Sequence, residues 1–409
     1  MSFDVIVIGA GAAGLLAAAR AAERGRSVLL LEKNRKAGVK ILMSGGSRCN
    51  LTQNTDARGI VEAFGRPGRF LHSALAALGP ADVVDLFEAE GVATKVEETG
   101  KVFPVSDRST DVLQALLRRL KRSGAVLALN EGVAEIRSRP GGFEVITAAR
   151  TLFAARVVLS AGGQSYPGCG TTGDGYAWAR ALGHTVATPR PALVPLSCRL
   201  PWVAELKGIT MPDVAVRVDG PGVERERASR RGSLLFTHFG ISGPVVMDVS
   251  RAFTVGREAR PPALVVDLFP DLSEADLAAM IGQRCREQGR MQVGTTLTTW
   301  LPRRLVDVLL PLAGLAAEAR GADLTRASLA RLVANVHAMA LPIHGTLGFP
   351  KAEVTAGGIA LDEVDSRTMQ SRLVPGLFAI GEILDLDGPI GGYNFQCAFS
   401  TGFLAGDSV

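Results

Sequence analysis

Gly9-Ala10-Gly11-Ala12-Ala13-Gly14 is the stretch whose setting decides the fold. It follows directly on an apolar run rich in β-branched residues over 3–8, and it opens an Ala/Leu-rich segment with helical spacing over 12–24. A second apolar run over 27–31 ends in Glu32. Strand, glycine-rich turn, helix, strand and terminal acid are the parts of a dinucleotide-binding βαβ unit. Gly9 makes the turn, Gly11 lets a pyrophosphate approach the amides at the helix N-terminus, and Gly14 lets the helix pack on the strand. An acid at Glu32 accepts hydrogen bonds from an adenosine ribose and disfavours a 2′-phosphate, which favours FAD or NAD over NADP.

Outward from this unit, the spacing predicts helices over 69–78, 81–90 and 107–122, the last capped by Ser106 or Asp107. Short strands are expected near 125–129, 132–136, 143–146 and 151–153, then a buried strand over 156–160 that enters a second glycine-rich turn. The proline-studded stretch Pro189-Arg190-Pro191-Ala192-Leu193-Val194-Pro195 reads as a stiff crossing between domains. The expected organisation is a first domain over 1–190, an insertion over 191–344 and a return to the first domain over 345–409. Alternation over 214–218 and 264–268 gives the insertion a β-structure, with a helical stretch over about 271–335. A strand over 377–380 and a glycine-rich loop lead into a last helix.

Composition sets the outer bounds. A chain of 409 residues with 47% hydrophobic content fills two or three cores. The net charge of +5 and a pI near 9.1 suit solubility and mild attraction for anions. Basic runs at Lys33-Asn34-Arg35-Lys36 and over 225–231 carry none of the interleaved aromatics of a single-strand nucleic-acid binder. Cysteines 49, 169, 198, 285 and 397 form no Cys-x-x-Cys pair and no zinc spacing, so no metal is expected, and they fit a reducing cytoplasm. The chain enters a strand straight after Met1-Ser2 and has no apolar stretch of membrane-spanning length. These features predict a cytoplasmic protein with no membrane contact and no obligate protein partner.

Longer motifs then narrow the choice. They are Leu31-Glu32-Lys33-Asn34-Arg35-Lys36-Ala37-Gly38, Ser44-Gly45-Gly46-Ser47-Arg48-Cys49-Asn50, Ser165-Tyr166-Pro167 with Thr172-Gly173-Asp174-Gly175, Phe236-Thr237-His238-Phe239-Gly240-Ile241-Ser242-Gly243-Pro244, Thr355-Ala356-Gly357-Gly358 and Gly391-Gly392-Tyr393-Asn394. In these motifs and their order the chain resembles the bacterial flavoproteins called HI0933-like, within the two-dinucleotide-binding-domain flavoproteins. The resemblance implies an α/β fold: a Rossmann-like FAD-binding domain of glutathione-reductase type, with an inserted β-barrel-like plus helical domain.

The resemblance also implies a cofactor site. Gly9, Gly11, Ala12, Ala13, Gly14, Glu32 and Lys33 would take the adenosine and pyrophosphate half of FAD, with Val133, Ala161, Gly162 and Gly163 packed against the adenine side. Lys40 and the loop Ser44, Gly45, Gly46, Arg48, Cys49 and Asn50 would run along the ribityl chain and isoalloxazine; Ser47 stands where relatives usually have glycine. Gly381 and Glu382 would meet the ribityl hydroxyls. Gly391, Gly392, Tyr393 and Asn394 open a helix whose amides suit negative charge on a reduced flavin. His238, Cys49 and Tyr393 are the candidate catalytic groups. A second Gly-x-Gly-x-x-Gly unit is missing, so NAD(P)H would act as a transient electron donor. The expected activity is reduction of an activated C=C bond in a steroid-like enone or in RNA uridine. The alternative is a non-catalytic FAD-binding sensor or assembly protein, while an NAD-dependent dehydrogenase would need a second acid/base constellation that the sequence lacks.

Overall fold

A computed structural model describes residues 2–220, 229–254 and 262–409, so residues 225–228 of the second basic run lie outside the described residues. The chain divides into two compact units, residues 1–191 with 352–409 and residues 192–351. The return to the first unit falls at 352 rather than 345, because the strand Ile343–Thr346 pairs with Leu196–Cys198 of the second unit.

In the first unit, β1 (Ser2–Ile8) lies parallel between β2 (Val28–Leu31) and the strand Thr151–Leu159, and Val7 sits opposite both Leu30 and Val158. The parallel core continues with Val126–Ala128 beside β2 and Leu377–Ala379 beside Thr151–Leu159. Val5 to Ile8 and all of β2 are buried, as parallel strands covered on both faces must be. Residues 151–159 form one strand where the sequence suggested two. The first half pairs antiparallel with Gly142–Thr147 and the second half parallel with Leu377–Ala379, so one strand serves two neighbours on the same side.

The helix α1 (Ala12–Glu23) covers one face of this sheet, and its small side chains let the last helix, Tyr393–Ser408, come close. A methyl group on Gly402 would lie 2.4 Å from the Ala13 carbonyl oxygen, and one on Gly406 would lie 2.8 Å from that of Ala17. The two helices therefore touch backbone to backbone. Arg20 adds an ion pair with Asp407 at 2.8 Å.

Two local expectations are corrected. The helix Ser109–Ser123 follows Arg108, and neither Ser106 nor Asp107 caps it. Asp107 is instead drawn to Lys95 at 2.5 Å and Arg48 at 3.5 Å, with a left-handed φ of 52°. The proline-rich crossing contains a strand, Val186–Ala192, paired with Val354–Ile359. Pro189 and Pro191 are two residues apart, so their missing N–H groups fall along one edge, where a two-stranded ribbon tolerates them.

The second unit is a seven-stranded antiparallel sheet in the order Met339–Leu341, Ala263–Asp267, Thr210–Asp219, Ser229–Thr237, Gly240–Ser242, Leu196–Cys198, Ile343–Thr346. The first and last strands of that order are separated in the chain by Pro342 alone, so the sheet curls until its edges nearly meet. Val214, Val216, Leu234, Phe236, Leu264 and Val266 fill the core with the helices Glu274–Glu287, Arg303–Leu312 and Arg326–His337. Ser273 and Thr325 cap the first and last of these helices through their hydroxyls.

A buried latch ties the last part of the first unit to its middle. His184 Nδ1 lies 2.9 Å from Glu363 Oε2 and Nε2 lies 2.8 Å from Ser371 Oγ, which also accepts from the Leu373 and Val374 amides. Burial pushes the Glu363 carboxyl up, but hydrogen bonds from Thr185 and His184 outweigh it and hold it below its usual value. A depressed acid stabilises the fold above its unfolded pKa and loses that contribution as pH falls through the folded value. Glu363→Gln is thus expected to lower stability at pH 7, with the gap to wild type closing as urea melts are repeated towards pH 3. Ser371→Ala is expected to cost roughly 1–3 kcal/mol in the same melts, because the buried His184 Nε2 and the part-buried Leu373 and Val374 amides lose their partner.

Candidate functional site

The parallel strands all end on one edge, and the residues singled out by sequence gather there: Gly9 after β1, Glu32 after β2, Ser160 to Gly163 after Thr151–Leu159, and Gly381 with Glu382 after Leu377–Ala379. This is the carboxyl edge on which open α/β sheets bind ligands.

The three glycines of the first turn differ in what they meet. Gly9 has φ +102°, and a side chain there would strike the Ser160 carbonyl oxygen at 2.6 Å. At Gly14 a methyl group would lie 2.0 Å from the Gly9 carbonyl oxygen and 2.4 Å from Ser160 Oγ. Around Gly11 no protein atom lies within 4 Å of that position, and φ is an ordinary −79°. Packing within the chain demands glycine at two positions and leaves the third facing open space. Gly11 gives α1 no side-chain cap, and the first turn carries no acid, so the Ala12 and Ala13 amides keep their affinity for an anion. Glu32 is buried against the same turn, accepting from the Ala10 amide through Oε2 and from the Asn34 amide through Oε1, each at 2.9 Å.

Lys33 reaches Asp174 at 2.6 Å and Thr172 at 2.7 Å, fastening the loop that follows Gly163. Val133, half-buried, begins the strand Val133–Arg139. Gly162 takes φ +72°, and a side chain on Gly163 would strike Thr355 Oγ1 at 2.3 Å.

Lys40, on α2 (Val39–Ser47), does not stand alone. Its ammonium donates to Glu382 Oε2 at 2.5 Å and to Ser165 Oγ at 2.6 Å. Glu382 Oε1 accepts from the Ser165 hydroxyl and, at 3.0 Å, from the Thr355 amide. Sequence reasoning assigned no role to Ser165 or Thr355, although both stand in motifs it quoted.

The loop from Ser44 to Asn50 breaks helical geometry. Gly45, Gly46, Ser47 and Cys49 all have left-handed φ, between 56° and 67°. Arg48 turns outward: its guanidinium lies over the Phe103 ring, 4.0 Å from the centroid, and pairs with Glu97 at 2.6 Å, the contact that raises its pKa most. Asn50, with its amide oriented to satisfy both ends, accepts from the Gly392 amide at 2.9 Å and donates to the Val102 and Thr52 carbonyls. Cys49 is fully buried, and burial pushes its thiol up to about 12.

The last helix begins after Gly391 and Gly392, with φ of 135° and 89°. A side chain on Gly392 would strike Thr52 backbone atoms at 2.5 Å, and the helix has neither a side-chain cap nor an acid in its first turn. Asn394 clamps the preceding loop, accepting from the Gly388 amide and donating to the Gly388 carbonyl, each at 2.9 Å. Tyr393 is half-buried in the same turn. His238 lies in the second unit, exposed in the turn between Ser229–Thr237 and Gly240–Ser242, edge-on to Phe239. Among the described residues no group of three His, Cys, Asp or Glu side chains could hold a metal ion, and no single helix is long and apolar enough to cross a membrane.

A glycine turn, a buried acid closing the second strand and two helix starts without side-chain caps, set on a parallel sheet, are the features of a flavoprotein of the dinucleotide-binding class. The sequence matches the family described as "HI0933-like protein Rossmann domain" over residues 3–408. It is 34% identical over 410 residues to the "Ribosomal RNA dihydrouridine synthase" of Escherichia coli strain K12, covering 100% of this chain and 98% of that one. It is 31% identical to the "3-dehydro-bile acid delta(4,6)-reductase" of Clostridium scindens, covering 98% and 97%. Among solved structures, "Mycobacterium smegmatis Sdh1 complex in the apo form" shares the fold, with a TM-score of 0.52 at 18% identity over 100% of this chain and 68% of that one. The chain belongs to the HI0933-like family and is an FAD-dependent oxidoreductase.

All five cysteines are free and buried, and burial holds Cys397 as well as Cys49 up to about 12. The native protein is expected to react slowly with an aromatic disulfide reagent at pH 8 and to release five equivalents only once denatured. A fast equivalent in the native state would mean that one of these thiols is reachable as thiolate.

Proposed function

We propose that the protein is a reductase that adds hydrogen across a C=C bond conjugated to a carbonyl, with uridine in RNA or a steroid-like enone as the substrate class. The observation that carries this reading is the open position at Gly11, facing uncapped amides beside Glu32, in a chain similar over almost its whole length to two reductive enzymes of its family. A dihydrouridine synthase of ribosomal RNA and a delta(4,6)-reductase of 3-dehydro-bile acids, as those relatives are named, both act on C=C bonds. Bound FAD, once reduced by NAD(P)H, supplies the hydride.

The chain's own residues hold, orient and shield. Ala12 and Ala13 amides take the pyrophosphate, and Glu32 takes the adenosine ribose. Val133 and Ala161 to Gly163 pack the adenine side, with Lys33 securing the loop over it. Glu382 accepts from the ribityl hydroxyls, while Gly45 and Gly46 let that chain pass close to the backbone. The opening amides of the last helix, at Gly392, Tyr393 and Asn394, favour negative charge on the flavin's pyrimidine edge. Arg48 braces the loop from its exposed side, the buried Asn50 ties it to Thr52, Val102 and Gly392, and Cys49, held as a neutral thiol, serves packing rather than nucleophilic chemistry. His238 and Tyr393 are the candidate proton donors. Five free cysteines support a reducing cytoplasm as its location.

Purified protein is expected to show flavin absorbance, to release FAD on denaturation and to bleach under anaerobic NADH or NADPH. Turnover of either unmodified ribosomal RNA or a conjugated 3-keto steroid, read as loss of the C=C bond by mass spectrometry, then selects the substrate class; inertness towards both overturns the proposed reaction. The glycine turn gives a second expectation. Gly11→Ala should leave apoprotein stability within about 1 kcal/mol of wild type, as an N-cap change does, while abolishing FAD binding. Gly14→Ala should destabilise the apoprotein itself, because α1 must move off the sheet. Equal loss of apoprotein stability in the two variants would refute the assignment of the open position to the cofactor.

A further inference from the structure

We propose that Lys40, Ser165 and Thr355 are positioning residues that fix the Glu382 carboxylate in one orientation and balance its charge, and thereby set both the affinity for FAD and the reduction potential of the bound flavin. The proposal rests on the reading above that Glu382 meets the ribityl chain.

Four separated segments converge on this carboxylate: α2 with Lys40, the loop after Thr151–Leu159 with Ser165, the strand Val354–Ile359 with Thr355, and the turn after Leu377–Ala379 with Glu382 itself. Ser165 and Thr355 are completely buried, whereas Glu382 keeps 19% and Lys40 29% of their side-chain surface exposed. The hydrogen-bond inventory is directional. Lys40 Nζ can only donate, and it donates to both Glu382 and Ser165. Ser165 Oγ therefore accepts from the Lys40 ammonium and donates its own hydroxyl proton to Glu382 Oε1. Thr355 adds its amide to the same oxygen, and its hydroxyl accepts from the Gln164 and Ser165 amides at 2.8 and 3.0 Å, which fixes the serine's backbone.

Glu382 thus accepts three hydrogen bonds from the protein and retains about one of the four acceptor directions of a carboxylate for a ligand hydroxyl. Its rotamer is set before any ligand arrives, so binding loses little side-chain freedom. Gly163 belongs to the same arrangement: a methyl group there would lie 2.3 Å from Thr355 Oγ1 and 3.0 Å from Glu382 Oε1. The charge balance has its own consequence. A carboxylate without a counter-charge opposes the negative charge that a flavin gains on reduction, and the Lys40 ammonium offsets it. Lys40 accordingly acts through Glu382, not as a separate cofactor ligand.

The test compares Ser165→Ala, Lys40→Met and Lys40→Arg in the full-length protein. It reads the FAD dissociation constant of reconstituted apoprotein by fluorescence titration and the flavin midpoint potential by equilibration with a redox dye, with apoprotein melting as the folding control. Ser165→Ala is expected to raise the dissociation constant about tenfold, the value of one charge-assisted hydrogen bond. Lys40→Met should weaken binding and lower the potential, and Lys40→Arg should restore the potential. Lower melting temperatures with FAD affinity and potential unchanged would assign the network to folding alone and overturn the proposal, as would equal potentials in the two lysine variants. Should Lys40→Met fail to fold, Ser165→Ala with an unchanged dissociation constant suffices to overturn it. Wild-type apoprotein that binds no FAD would instead remove the cofactor reading on which the proposal stands.

Discussion

The absence of a side chain at Gly14 is the constraint on which the first unit depends. Only a bare Cα lets the first turn of α1 rest against the Gly9 carbonyl and the Ser160 hydroxyl, which itself donates to the Gly9 carbonyl at 2.7 Å. That contact aims the N-terminus of α1 over the carboxyl edge of the sheet. Gly402 and Gly406 press on the other side of the same helix, so α1 is held between two backbones. The many alanines of α1 follow from this: larger side chains would separate the layers and turn the helix start away from the edge.

A second consequence is that the edge is assembled from segments hundreds of residues apart. Asn50 bonds to Gly392, Lys40 to Glu382, and Ser165 to Thr355 by its amide. None of these pairs has a local reason to form. Each closes because the parallel sheet brings the ends of β1, β2, Thr151–Leu159 and Leu377–Ala379 to one level. The loop from Ser44 to Asn50 is where the backbone bears the cost. Four residues are left-handed, and two of them, Ser47 and Cys49, are not glycine. Such strain persists only where neighbours over-determine the conformation, and the burial of Cys49 and the Asn50 bonds supply that restraint.

The second unit solves a different problem. A short antiparallel sheet has exposed edges, and here the terminal strands are joined through Pro342, so curling brings edge towards edge. Two of its helices, Glu274–Glu287 and Arg326–His337, start on the side-chain caps Ser273 and Thr325, whereas Arg303–Leu312 and Pro244–Val249 start without one.

Much of the architecture was legible in local pattern. The βαβ unit, the acid at Glu32, the helices Pro80–Ala89 and Ser109–Ser123 and a β-structure in the insertion follow from periodicity and glycine spacing, which are short-range properties of a chain, whereas the short elements Ala57–Phe64, Thr94–Val96 and Lys101–Pro104 went unread. Glycines mark backbone demands, and Gly9 and Gly14 stand at such demands. What the sequence could not express is which side chains meet. Arg48, placed beside the flavin by motif, pairs with Glu97 and covers Phe103; Asp107, expected to cap a helix, answers Lys95 and Arg48. Ser165 and Thr355 carry no motif of their own chemistry, yet the fold makes them partners of one carboxylate. Periodicity along a chain dictates which face a residue presents, but hydrogen bonds and ion pairs are decided by proximity across it, and only the assembled sheet sets those distances.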